Sequence, residues 1–174
     1  VPLVVRAVPS EEAPRTLWRR TVYSLRATIE QEGVERASAT GSSDPFAAKE
    51  LGFYISFFTI DGTRTEIDQL LDTVDEIRQG GKMDAFVMAD TFGCVHPQSA
   101  FEIVTRVKRR FPTTPVEAHM HMHFGIGAAN TLAAVAAGAD VAHVAVSGIG
   151  EGAGNTPLED VVLSLKCLYG VETR

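Results

Sequence analysis

Val116-Glu-Ala-His-Met-His-Met-His-Phe-Gly125 leads through a small-residue run, Ala128 to Ala137, into Val141-Ala-His-Val-Ala-Val146. The first and last pieces are short and β-rich, while the run between them favours helix. A strand, a helix and a second strand within about 30 residues form one β/α unit feeding the next, which calls for a parallel sheet. Outward from this unit the pattern repeats. Upstream we expect strand Phe53 to Phe58, helix Glu66 to Gln79, strand Ala85 to Met88 and helix Pro97 to Arg110; downstream, a helix from Pro157 to Tyr169. The third strand of the series is Val116 to His121, and four units follow one another. The expected fold is therefore α/β, a partial or complete (β/α)8 TIM barrel with parallel strands. The whole chain has 174 residues, whereas a full barrel takes about 200 to 250.

Residues 1 to 46 are less regular. Leu3 to Val8 reads as a strand, Ser10 to Glu32 as a helix carrying Leu17, Trp18, Val22, Leu25 and Ile29, and Ala37 to Pro45 as a polar loop or linker. Residues 47 to 174 then read as the C-terminal β/α units of a catalytic domain. The first residue is Val rather than Met, so the chain reads as beginning partway through a longer polypeptide.

Composition narrows the function. A hydrophobic content of 45 % is enough to bury a sizeable core. The net charge of −6 and the absence of a long Lys/Arg cluster argue against nucleic acid as the main partner, and Arg106-Val-Lys-Arg-Arg110 has the spacing of a solvated helix face. No apolar run approaches the roughly 20 residues that span a bilayer, so no membrane is expected. Cys94 and Cys167 lack metal-ligand spacing and read as free thiols of a reducing compartment, the cytoplasm.

The chemistry concentrates where strands end. Three of the five histidines, His119, His121 and His123, alternate within five positions. On a strand, alternate residues share a face, so these imidazoles project together and suit a divalent cation. The other strands end in Thr59 to Thr65, in Ala89-Asp-Thr-Phe-Gly93 and in Ser147-Gly-Ile-Gly-Glu-Gly-Ala-Gly-Asn155. In a (β/α)8 barrel the C-terminal strand ends carry the active site. Alternating Gly148, Gly150, Gly152 and Gly154 let the last loop approach a ligand closely. Thr156-Pro-Leu-Glu159 reads as a capping box opening the final helix. Its G-x-G-x-x-A spacing meets only one helix before the chain ends, which argues against a dinucleotide site. Asp90 reads either as a residue orienting the site or as a turn cap. Asp61 and Arg64 read as site residues or a surface ion pair, and His96 and His143 as structural.

His119-Met-His-Met-His-Phe-Gly-Ile-Gly-Ala-Ala-Asn130, Gly148-Ile-Gly-Glu-Gly-Ala-Gly-Asn-Thr-Pro-Leu-Glu159, Ala48-Lys-Glu-Leu-Gly-Phe53 and Ala89-Asp-Thr-Phe-Gly93 occur in one order. Together they resemble the later strands of the 2-isopropylmalate synthase, homocitrate synthase and HMG-CoA lyase superfamily, the HMGL-like metal-dependent TIM barrels. The resemblance covers about residues 47 to 170. It implies a divalent metal (Mg, Mn or Zn) held by His119, His121 and Asn155, and Thr91 on the carboxylate of a 2-oxo acid. It also implies acetyl-CoA as the second substrate of a Claisen condensation. His123, where the family carries a carboxylate, and Glu151 are the candidate catalytic acid–base groups. Ile60 stands where a glutamate is expected, Gly152 where the synthases have arginine, and no Arg-Asp pair precedes the matched segments. The glycine-rich loop is nearer the aldolase branch. Three readings follow: an acyltransferase of the isopropylmalate synthase type, an aldolase or acyl-CoA lyase, and an inactive barrel fragment that binds a partner. A partial barrel exposes strand edges, so a homo-oligomer or a complex with a chain supplying the missing strands is expected.

Overall fold

The computed structural model describes residues 3–6, 20–21, 54–81 and 83–171, the first two segments as backbone. Six strands form one sheet: β1 Leu3–Arg6, β2 Arg20–Thr21, β3 Ile55–Thr59, β4 Ala85–Asp90, β5 Val116–Met120 and β6 Val141–Val144. Their order is β1-β6-β5-β4-β3-β2. From β2 to β6 every pairing is parallel, and the four central strands alternate with helices α1 Ile67–Gln79, α2 Pro97–Arg110, α3 Gly127–Ala136 and α4 Leu158–Tyr169. This is the expected α/β architecture of successive β/α units.

Three expectations need correction. β1 runs antiparallel to β6, Leu3 against Val144 and Arg6 against Val141, so the sheet is not purely parallel. A period of two identifies a strand and carries no direction. Arg20 and Thr21, expected within a helix, pair in parallel with Ile55 and Ser56; the rest of that proposed helix and the Ala37–Pro45 linker lie outside the described residues. The strand expected to reach Val146 stops at Val144, because Val146–Gly148 closes a 3₁₀ turn with Ser147 at φ 54°.

The helices follow from their spacing. In α2, Ala100, Val104 and Val107 recur at helical intervals and are fully buried, and Phe111 continues the stripe. Pro97 opens the helix, where its missing N–H costs nothing, and His96 caps it by accepting the Gln98 N–H at Nδ1, 3.3 Å. Lys108, Arg109 and Arg110 in the last turn suit the negative end of the helix dipole. Gly170, at φ 67°, ends α4 in the left-handed conformation that glycine adopts freely.

The core lies between the helices and one face of the sheet. Phe86, Met88, Val116, Ala118 and Met120 pack there against Leu70, Val74, Val104, Val107 and Ala134. The N-terminal strand ends are tied by carboxylates. Asp84, just before β4, accepts the Ile55 N–H at 2.7 Å, and Asp140, just before β6, accepts the Val116 N–H at 2.8 Å and pairs with Lys108 at 2.6 Å. The C-terminal ends are left to the loops. Among the described residues no helix is long and apolar enough to cross a membrane, and Cys94 and Cys167 are exposed free thiols.

Candidate metal and acid–base site at the strand ends

The face of the sheet opposite the helices carries the site. Strand alternation puts Glu117, His119 and His121 on it, and the register sets His119 beside Ala89 of β4 and His143 of β6. β5 ends at Met120. His121 is held by an isolated antiparallel bridge to Asn155, so the glycine loop folds back onto the histidine segment. Met122 donates to the Gly154 carbonyl at 2.9 Å, and Asn155 donates from its backbone to the Gly148 carbonyl at 2.9 Å. A side chain at Gly150 would run into the Asn155 amide, so this glycine leaves the space in which Asn155 lies.

The Nε2 atoms of His119 and His121 approach to 3.0 Å. Two imidazole nitrogens on one cation at about 2.1 Å and near a right angle would stand about 3 Å apart, so the pair fits a shared metal ion. Burial lowers the His119 pKa to about 3, helped by His143 and His121, and burial also lowers that of His121, with the Glu151 carboxylate opposing. Both rings are thus neutral at pH 7, the form that binds metal. Among the described residues no three His, Cys, Asp or Glu side chains converge as a metal set. The two imidazoles fit as a pair of ligands, and the bridge to His121 brings Asn155 to the same strand end, with positions left for water and substrate oxygens.

His123 leaves the strand face but not the neighbourhood. Its ring stacks on that of His121, centroids 5.8 Å apart and planes 10° apart, and lies over Gly152. Glu151 is exposed on the same loop. Thr91 is half-buried, and its Oγ1 accepts the Asp61 N–H at 2.8 Å, joining the loops after β3 and β4.

The secondary candidates resolve on structural grounds. Fully buried Asp90 accepts from the Cys94 and Val95 N–H groups at 3.1 Å and from the Thr63 hydroxyl at 3.2 Å, so it folds the loop after β4. Asp61 and Arg64 form an exposed ion pair, Nε to Oδ1 2.7 Å, with the guanidinium over Phe92. The capping box does not form. Thr156 is buried, sharing a hydrogen bond with Thr131 at 3.0 Å, and Glu159 accepts the Ser147 N–H instead, while Pro157 takes the cap position without a side-chain bond. Glu159 thereby holds the start of the glycine loop.

Sequence reasoning missed Glu117. It is fully buried and accepts a hydrogen bond from His143 Nε2 at 2.9 Å. The signal was present, since Glu117 continues the His119, His121 alternation by one step.

Residues 24–174 match the family model described as HMGL-like. The chain is 39 % identical to 2-isopropylmalate synthase of Methanocaldococcus jannaschii over 125 residues, 72 % of this chain and 24 % of that one. It is 38 % identical to (R)-citramalate synthase of the same organism over 152 residues, 87 % and 30 % of the two chains. With homocitrate synthase of Methanopyrus kandleri the identity is 39 %, over 72 % and 31 %. The chain therefore spans about a quarter to a third of the length of these relatives. In three dimensions it is similar to the N-terminal domain of a proposed aldolase from Bacteroides vulgatus, with TM-score 0.63 and 25 % identity over 82 % of this chain and 46 % of that one. The carboxyl transferase domain of Rhizobium etli pyruvate carboxylase shares the fold, with TM-score 0.63 and 20 % identity over 72 % and 22 % of the two chains. With the model match running over most of its residues, this chain belongs to the HMGL-like family.

Proposed function

We propose that the chain forms part of a divalent-metal-dependent acyltransferase that condenses acetyl-CoA with a 2-oxo acid, a Claisen reaction of the 2-isopropylmalate synthase type. The observation that carries this reading is the convergence of His119 and His121 Nε2 at 3.0 Å beside the Asn155 loop. These three residues would hold the ion. When bound, Mg, Mn or Zn polarises the 2-oxo carbonyl as a Lewis acid. Thr91 binds the substrate carboxylate through its hydroxyl hydrogen, since its oxygen already accepts from Asp61. His123 and Glu151, at the mouth of the site, move protons: one leaves the acetyl methyl group and one reaches the developing hydroxyl, after which water hydrolyses the product thioester and frees the thiol.

Cleavage of a 4-hydroxy-2-oxo acid is the second reading, favoured by Gly152 in place of the synthase arginine. Third is a fragment that binds without turnover. We further propose that a second copy or a chain supplying further strands completes the sheet, since its edge strands have no outer partner among the described residues and such edges favour association.

Elemental analysis of the purified protein beside His119→Ala/His121→Ala tests the reading, with thiol release assayed on 2-oxoisovalerate, pyruvate and 2-oxoglutarate. Stoichiometric metal in the wild type alone, with thiol release from one substrate, is expected. Metal without acetyl-CoA turnover moves the assignment to the aldolase or the inactive reading. Absence of metal from both proteins overturns the ligand assignment.

A further inference from the structure

Below the two histidines the same face carries a pair that the proposed chemistry does not use. Glu117 lies two residues before His119 on β5, its register neighbours Val87 and Val141 both apolar. An ionisable side chain fully buried between two valines costs free energy unless it is paired, and an apolar residue would serve the fold as well. The Glu117 carboxylate accepts from His143 Nε2 at 2.9 Å. His143 is the direct register partner of His119, and their rings meet edge-on with centroids 5.5 Å apart. Phe58 closes the group, 5.3 Å from His119 and 5.5 Å from His143 between centroids.

His119 needs such support. Its Nδ1 is buried and has no hydrogen-bond partner among the described residues, and the same holds for Nδ1 of His121. A metal-binding histidine ordinarily donates its second ring N–H to a carboxylate or carbonyl that fixes the ring. Here the ring of His119 is fixed by what it packs against.

We propose that Glu117 and His143 are positioning residues for the cation site: the carboxylate locks the His143 ring, and His143 with Phe58 clamps His119 so that Nε2 faces His121. This rests on the metal reading above, and it adds a carboxylate one strand layer from the cation, acting through a second imidazole.

The test uses Co²⁺, whose visible absorption reports ligand geometry and whose affinity is measured by competition with a chromophoric chelator. In the double variant Glu117→Val/His143→Phe, apolar groups of similar shape replace both partners, a change that leaves stability near neutral or raises it. Its melting without metal should therefore hold, while Co²⁺ binds about 10- to 100-fold more weakly, with an altered absorption envelope. Glu117→Gln, nearly isosteric, weakens the charge-assisted bond and should bind Co²⁺ several-fold more weakly at unchanged melting. Wild-type affinity and spectrum in either variant overturn the positioning role and leave the metal reading standing. No Co²⁺ binding by the wild type overturns both.

Discussion

The two faces of the sheet are built from the same strands and obey different rules. On the helix side, Phe86, Met88, Ala118 and Met120 are buried apolar side chains interleaved with Val74, Val104 and Val107. On the other side β5 presents Glu117 and His119, with His121 just past its end, His143 beside them on β6 and Phe58 on β3. One residue of shift along β5 separates Ala118 from His119. The helix face is what stability requires of a strand; polar groups at alternate positions of a central strand are not, and their cost is offset only by pairing or by a ligand. The contrast therefore separates residues kept for the fold from residues kept for chemistry.

The contrast is sharpest under truncation. Phe86→Ala removes a fully buried ring from the helix side and should cost about 3 to 5 kcal/mol in urea unfolding. His119→Ala/His121→Ala should abolish metal retention at a far smaller cost. A double histidine variant that unfolds as readily as Phe86→Ala would erase the distinction between the faces.

Acid should expose the second difference. The His119 pKa is depressed by burial to about 3, below the ordinary value of 6.5. Because the folded state resists the proton, this contribution to stability is complete above pH 6.5 and is lost as pH falls towards 3. Between pH 7 and pH 5 the metal-free protein should lose about 2 kcal/mol through this group, and His119→Phe should remove that share of the slope. Unfolding of both proteins in parallel across this range would show that His119 is not held neutral by the fold.

Most of the helix side was legible because it depends on local period. α2 was bounded correctly at both ends, where Pro97 and the basic last turn mark the termini. Alternation grouped His119, His121 and His123; the Nε2 atoms of the first two stand 3.0 Å apart, whereas the strand ends at Met120 and His123 leaves its face. What failed depended on distance in sequence or on competition for partners. The direction of β1 is set by pairing with β6 at the other end of the chain. Thr156 and Glu159 have the spacing of a capping box, yet Thr131 and Ser147 claim them. Glu117 escaped notice because its partner, His143, is 26 residues away on the next strand.

The smallest effect concerns the join between the site and the loop beyond it. Gly152 has φ 64°, and a Cβ there would stand 2.7 Å from His123 Nε2. Two costs would follow in Gly152→Ala: the left-handed backbone, about 1 kcal/mol for a residue with a side chain, and displacement of the imidazole. The first belongs to the fold and should appear as a modest loss in urea unfolding. The second belongs to the site. Stacking on His121 at 5.8 Å depends on His123 keeping its place over the glycine, so the variant should change turnover while metal content stays stoichiometric. A longer side chain at this position would displace His123 further, so Gly152→Arg should lower turnover more than Gly152→Ala does, again at unchanged metal content.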